Sequence, residues 1–232
     1  MYREHPPPCG LEPVVACLWE NEPEQDLAQR VIPDGCVDLI WVDGLEIAGA
    51  DTGPRSVRLA GGSRSSGIRL RPGAAGALLG VPASEVRDCQ VAAELLWDVA
   101  GLEEALAGAD APGRLELLAA AVARRLAEPD PLVTAAARAF AGESARVAGV
   151  AADLGVSERQ LHRRMLTAVG YGPKMLARVA RLRRLVALED ESLAARAFAA
   201  GYASQAHMSD EVRRLTGLTP VEFLEDARLT AA

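Results

Sequence analysis

No stretch of 18 consecutive apolar residues occurs, so nothing in the chain is built to cross a membrane as a helix. The N-terminus, Met1-Tyr2-Arg3-Glu4-His5 followed by three prolines, lacks the apolar block of a signal peptide, and a cytoplasmic location is expected. Cysteine is scarce: Cys9, Cys17, Cys36 and Cys89 sit at irregular spacings with no C-x-x-C pair. That excludes a zinc-ribbon pattern, and in a reducing compartment it leaves buried or idle thiols and no disulfide frame. Histidine is scarcer still, with His5, His162 and His207, and no His/Cys/carboxylate set appears at metal-ligand spacing. Gly73, Gly76 and Gly80 do not form a phosphate loop, because no G-x-x-x-x-G-K-S/T motif is present. Neither a cofactor nor a metal is expected.

What the chain does have is enough apolar material for a core. Its 232 residues, 50% hydrophobic and 25% charged, make roughly one and a half to two average domains and exclude wholesale disorder. The net charge of −7 conceals a split: residues 1–130 hold 11 basic and 21 acidic side chains, whereas 131–232 hold 14 basic and 11 acidic. Within 156–184 the contrast sharpens. Arg159, Arg163, Arg164, Lys174, Arg178, Arg181, Arg183 and Arg184 face a single acid, Glu158. A solvated helix face usually interleaves both signs, so this run points to a polyanion.

The pattern also changes along the chain. From about 14 to 72, short apolar runs (Val14 to Trp19, Val31-Ile32, Val37 to Val42, Leu45 to Ile47, Arg55 to Leu59, Ile68 to Leu70) alternate with turn signals such as Pro33-Asp34-Gly35 and Asp43-Gly44. This predicts a small antiparallel sheet or half-barrel. From about 91 the apolar spacing becomes helical, through Val91, Leu95 and Leu96 to Leu115, Leu118, Val122 and Leu126. Glu128-Pro129-Asp130-Pro131 then breaks the chain, and everything beyond reads as helix. The expected fold is α+β: a β-rich domain over 1–97, a helical connector over 98–130 and an all-α domain over 131–232. The connector carries more apolar surface than a small sheet needs, which predicts that it covers the sheet on one side and contributes to a homodimer on the other.

The last hundred residues contain a duplication. Ser157, Leu161, Met165, Gly170 and Pro173 recur 47 positions later as Ser204, Met208, Val212, Gly217 and Pro220. Each copy reads as a helix-turn-helix, over 146–169 and 192–216. A glycine (Gly155, Gly201) makes the turn, Val156 or Tyr202 plugs the corner, and a serine caps the second helix. Leu161 and Met165, then Met208 and Val212, take the buried stripes, which leaves Arg159, His162 and Arg163, then Gln205, His207, Ser209 and Asp210, outside. Pro173 opens a linker helix over 173–188, roughly 24 Å long, enough to set two such helices near one DNA turn apart.

At this point the sequence resembles the AraC/XylS transcription regulators. The likeness covers roughly 131–229 and rests on Leu-Gly-Val-Ser-x-Arg-x-Leu-x-Arg (154–163), Gly-Tyr-x-Ser-x-x-His (201–207) and Gly-Leu-Thr-Pro (217–220). The front half, through Val31 to Trp41 and Gly67 to Ala74, is similar to the N-terminal domain of one actinobacterial-type branch of that family. The resemblance implies that Arg159, His162 and Arg163 face one major groove and Gln205, His207 and Ser209 the next. Ser157, Arg164, Lys174 and Ser204 are the expected phosphate contacts. Family members usually carry arginine where Asp210 stands and phenylalanine where Val212 stands, so the second motif is expected to read weakly or to position the first. Asp210 or Glu211 could still accept from a cytosine amine. The partners expected are double-stranded DNA, a small-molecule effector, a second copy of the chain and RNA polymerase, with no membrane.

Two rival readings stay open. Some methyl-transferring DNA-repair proteins carry the same helical module beside a reactive cysteine, and Cys36 is the candidate nucleophile, although Asp34 and Asp38 beside it would slow attack. A helical adaptor that binds only protein would ignore the arginine run. For the effector the candidates are Arg69, Arg71 and Trp41. Residues 52–84 contain five arginines and no acid, and Arg69 and Arg71 alternate along one strand. Facing a barrel interior they would grip a carboxylate or phosphate. Facing outward, the preferred reading, they are solvated or pair with the domain's own acids.

Overall fold

The computed structural model describes residues 1–142, 145–188 and 192–231, with side chains as far as Asp226. Strands β1 (Tyr2–His5), β2 (Val15–Asn21), β7 (Ser65–Leu70), β4 (Val37–Trp41), β5 (Leu45–Ala48) and β8 (Gln90–Ala92) form one sheet in that order, while β3 (Leu27–Val31) and β6 (Arg55–Leu59) form a separate ribbon. All pairings are antiparallel. The alternation that marked these strands sorts the two sheet faces. In β4, Val37, Leu39 and Trp41 are buried, with Leu39 paired to Ile47 on one side and Ile68 on the other. Asp38 points the opposite way, in register with Arg69.

The turns follow the sequence. Gly35 takes φ +82°, and the Asp34 carboxylate accepts from the Cys36 N–H at 2.8 Å, so the Pro-Asp-Gly segment closes on itself ahead of β4. Trp41 pairs with Leu45 across Asp43-Gly44 as a hairpin. Two segments depart from expectation. Residues 2–5, ahead of the three prolines and outside the predicted strands, form an edge strand on β2. Residues 90–92, which read as the start of a helix, form an edge strand in which Val91 pairs with Ile47; Leu95 is 71% exposed, so no helical apolar face exists there. The glycine cluster at 73–80 encloses a short helix, α1 (Ala75–Leu79).

Helix α3 (Ala111–Arg124) covers the sheet over β7 and β2, and α2 (Ala100–Gly108) packs against α3. Asp110 caps α3 by accepting from the Gly113 N–H at 3.0 Å, and Leu115, Leu118 and Val122 go into the core. With Leu106 also fully buried, the surplus apolar surface read into the connector is consumed within the chain, and only Leu126 stays half exposed. The argument for pairing through this segment falls with it.

The rest is α4 (Pro131–Ala141), α5 (Val147–Asp153), α6 (Glu158–Val169), α7 (Pro173–Ala187), α8 (Leu193–Ala199), α9 (Gln205–Thr216) and α10 (Pro220–Ala231). One apolar core runs from Leu11 in the β-rich region through Met165 to Val179, while a second holds Leu182, Leu185, Met208, Val212, Leu215 and Phe223. The cores therefore divide inside α7 and not at the proline break before α4. Prolines end a helix, but they do not decide which surfaces pack. Among the described residues no helix is long and apolar enough to cross a membrane.

Candidate nucleic-acid interface

Both duplicated units are helix-turn-helix pairs, α5–α6 and α8–α9. Gly155 (φ +67°) and Gly201 (φ +87°) make the turns. Ser157 accepts from the Gln160 N–H at 3.2 Å while Gln160 returns a bond to the Ser157 N–H at 2.9 Å, a reciprocal box worth about 1 kcal/mol to the helix start. Ser204 repeats the cap on His207 at 3.1 Å. Leu161, Met165, Met208 and Val212 are fully buried, as their spacing predicts. Tyr202 plugs its corner beneath the Arg181 guanidinium, 5.6 Å from the ring centre.

The outer face of α6 holds Arg159 and Arg163, four residues and about one turn apart. Both are exposed, and among the described residues neither guanidinium has an ionic or hydrogen-bonded partner. His162 is exposed too, but its ring lies against Gly172, where a Cβ would come within 2.6 Å of the imidazole. Lys174 is exposed near the start of α7. The other arginines of the run are engaged. Arg164 pairs with Asp130, the cap of α4, at 3.1 Å. Arg178 and Arg181 grip Glu211 at 2.7 and 3.0 Å. Arg183 lies 3.9 Å from Asp34, and Arg184 donates to the carbonyls of Phe140, Ala141 and Gly142 at the end of α4. The polyanion field read from the sequence thus reduces to Arg159, Arg163 and Lys174.

The second motif offers less. His207 accepts at Nδ1 from the Ala203 N–H at 3.2 Å and stands edge-on to Tyr202, so its imidazole belongs to the turn. The Ser209 hydroxyl donates to the Gln205 carbonyl at 2.9 Å, along its own helix. Glu211, read as a base contact, is buried between two arginines and faces α7. Gln205 and Asp210 are exposed, joined by Arg213 and Arg214 in the last turn. Sequence reasoning confined to the first two turns of the helix misses these two arginines; their exposure follows from the same buried stripe.

The effector candidates do not converge. Arg69 lies among acids, 3.1 Å from Asp38, 3.6 Å from Asp34 and 3.7 Å from Glu4, with Trp19 donating to the same Asp38 at 3.1 Å. Arg71 lies past the end of β7, exposed, and donates to the Glu12 carbonyl at 2.8 Å. Trp41 is core. The acid-free arginine stretch is balanced from outside: Arg55 meets Asp51 and Arg64 meets Glu22. Cys36 is buried, and burial, with repulsion from Asp34, pushes its thiol well above the ordinary range. A DNA-alkyl acceptor needs an accessible thiolate, so Cys36 does not serve as one.

One groove does touch both halves. About 290 Å³ opens between the Asp34 turn, Pro72 and the helices α4 and α7, with Ala137, Leu176 and Val179 as walls and Arg183 beside Asp34.

Comparison with known proteins gives two family matches. Residues 3–92 match a domain of unknown function (DUF6597), and residues 150–226 match a helix-turn-helix domain. Among curated proteins none matches the sequence. Solved structures with a similar course include ToxT from Vibrio cholerae O395 bound to (E)-4-(8-methylnaphthalen-1-yl)but-3-enoic acid, at 12% identity over 97% of this chain and 99% of that one, TM-score 0.48. Wild-type ToxT from Vibrio cholerae strain SCE256 with a bound unsaturated fatty acid matches at 13% identity over 91% and 94%, TM-score 0.42.

Proposed function

For a chain that carries an AraC-type helix-turn-helix domain behind a domain of unknown function, we propose sequence-specific DNA binding in transcription regulation, with no enzymatic step. Each chain reads two successive major grooves, α6 entering one and α9 the next. The observation that carries this is the pair Arg159 and Arg163, exposed, with unpartnered guanidiniums a turn apart on α6, while Arg164, Arg178 and Arg181 of the same basic run are ion-paired within the fold. A guanidinium there can meet guanine O6 and N7 or a phosphate. The second motif contributes Gln205, Arg213 and Arg214, and Asp210 weakens it.

The front region modulates this binding through a small-molecule effector. The groove beside Asp34 is the place for it, because a ligand there touches the β-rich turn and the linker helix together. Its apolar walls suit a small molecule with an apolar body, and an anionic group on that molecule would compete with Asp34 for Arg183.

Titration of the full chain with genomic duplex fragments at two salt concentrations tests the DNA reading. Selective, salt-dependent binding is expected, and equal affinity for every fragment would reject sequence reading. For the effector, small apolar carboxylates are added during thermal denaturation; a ligand at a hundred times its Kd should stabilise the folded chain by about 2.7 kcal/mol.

A further inference from the structure

The two glycines that end α6 and α9 occupy equivalent places in the duplication, 47 residues apart, and both hold left-handed backbone: Gly170 at φ +98° and Gly217 at φ +73°. The β-rich region covers both. At the first, Arg87 Nη1 donates to the Gly170 carbonyl at 3.4 Å, and a Cβ on Gly170 would lie 3.1 Å from the Ala83 carbonyl oxygen. At the second, Arg30 Nη1 on β3 donates to the Thr216 carbonyl at 2.9 Å, and a Cβ on Gly217 would lie 3.0 Å from that same nitrogen. Helix C-termini present unpaired carbonyls with partial negative charge, so a guanidinium there both satisfies them and opposes the dipole.

The two capping segments are also fastened to each other. Asp88, next to Arg87, holds φ +57°, an unfavourable conformation for a residue with a Cβ. Its carboxylate accepts from the Thr52 N–H at 2.6 Å and the Thr52 hydroxyl at 2.9 Å. Thr52 leads into Pro54, which lies against Gly217, and into β6, where Ser56 pairs with Arg30. Beside this link the Gly49 N–H donates to the Cys89 carbonyl at 2.9 Å, and a Cβ on Gly49 would overlap the Val86 carbonyl. Arg87 and Arg30 therefore project from one closely packed unit.

We propose that this unit is a brace that sets the distance and angle between the two DNA-reading helices, with Arg30 and Arg87 as positioning residues that hold α9 and α6 by their C-terminal ends. The inference rests on the DNA-reading proposal above. The other connection is α7, which leaves the first core after Val179 and enters the second at Leu182. Long helices curve, and α7 is bonded to the end of α4 through Arg184 and to α9 through Glu211. A second attachment at the far ends of both reading helices restricts their relative movement further, and it ties the spacing of the two half-sites to the β-rich region. Anything that shifts the β3–β6 ribbon relative to the 83–88 segment then changes which spacing the protein accepts.

The test uses the full-length chain and duplexes recovered by selection from a random-sequence pool. The two half-sites are rebuilt with their spacing stepped one base pair at a time around one turn, about 10.5 bp. The readout is the ratio of Kd at the best spacing to Kd two or three base pairs away, which neither a loss of overall stability nor a lost phosphate contact moves. Wild type is expected to discriminate by about tenfold or more, the scale of a mismatched contact. Arg30→Ala and Arg87→Ala should each flatten that ratio by about threefold or more, and Arg30→Lys, still able to donate to Thr216, should recover most of it. Variants that weaken binding equally at every spacing, or that keep the wild-type profile, overturn the brace. A wild-type chain that binds no duplex overturns the DNA reading itself.

Discussion

Glu211 Oε1 accepts from Arg178 Nε at 2.7 Å while its Oε2 accepts from Arg181 Nη2 at 3.0 Å, so a single buried carboxylate on α9 is held by two arginines of the linker helix. The second motif has its own small core, and this contact fixes how that core sits on α7.

Glu211→Ala should therefore cost about 2–3 kcal/mol in a urea unfolding series, less than the loss at a fully buried pair because both arginines keep partial access to water. Glu211→Gln, which keeps an acceptor, should lose less than half as much. An alanine variant as stable as wild type would mean that the two arginines find equivalent partners elsewhere.

Arg163→Ala should weaken binding to the best selected duplex by about 1–3 kcal/mol and leave random DNA less affected, measured by competitive titration. Equal losses on both would assign Arg163 to phosphate alone.

Much of this arrangement was legible in the sequence because it is set locally. The 47-residue register placed the caps Ser157 and Ser204 and the buried pairs Leu161/Met165 and Met208/Val212, and Gly155 and Gly201 marked the turns just before the caps, all of which depend on near neighbours. Pairings distant in sequence were not legible. Arg164 reads as free, yet Asp130, 34 residues earlier, lies within 3.1 Å. For Arg69 the preferred outward reading allows pairing with the domain's own acids, but only the sheet shows that the acid beside it is Asp38. Charge counts over a window report composition, and they do not report which arginines a fold neutralises. The short edge strands failed for a related reason: three residues at 90–92 are too few to show a period, and pairing with β5 decided the outcome.

Asp210→Arg offers a gain-of-function test of the division between the motifs. Asp210 is exposed on α9 near Gln205, where an acid repels phosphate. The arginine variant should bind DNA more tightly in general, with a salt slope steeper by up to about two units, since one negative charge is removed and one positive charge added. Unchanged or weaker affinity would show instead that Asp210 makes a base contact.

The four thiols divide by burial, and the division has a pH signature. Cys9 and Cys89 are exposed, whereas Cys17 and Cys36 are buried. A water-soluble thiol reagent should modify two cysteines of the folded chain quickly and the other two only on unfolding; fast modification of Cys36 would revive the alkyl-acceptor reading. Burial pushes the Cys17 thiol up to about 11 and raises Cys36 well above the ordinary range. Thiols of the unfolded chain ionise near about 8.5, so above that pH the folded state holds more protons than the unfolded one. Stability must then fall as pH climbs from that value toward the Cys17 transition. Cys17→Ala should make the fall shallower over this alkaline window, and a fall just as steep would place its cause in other groups.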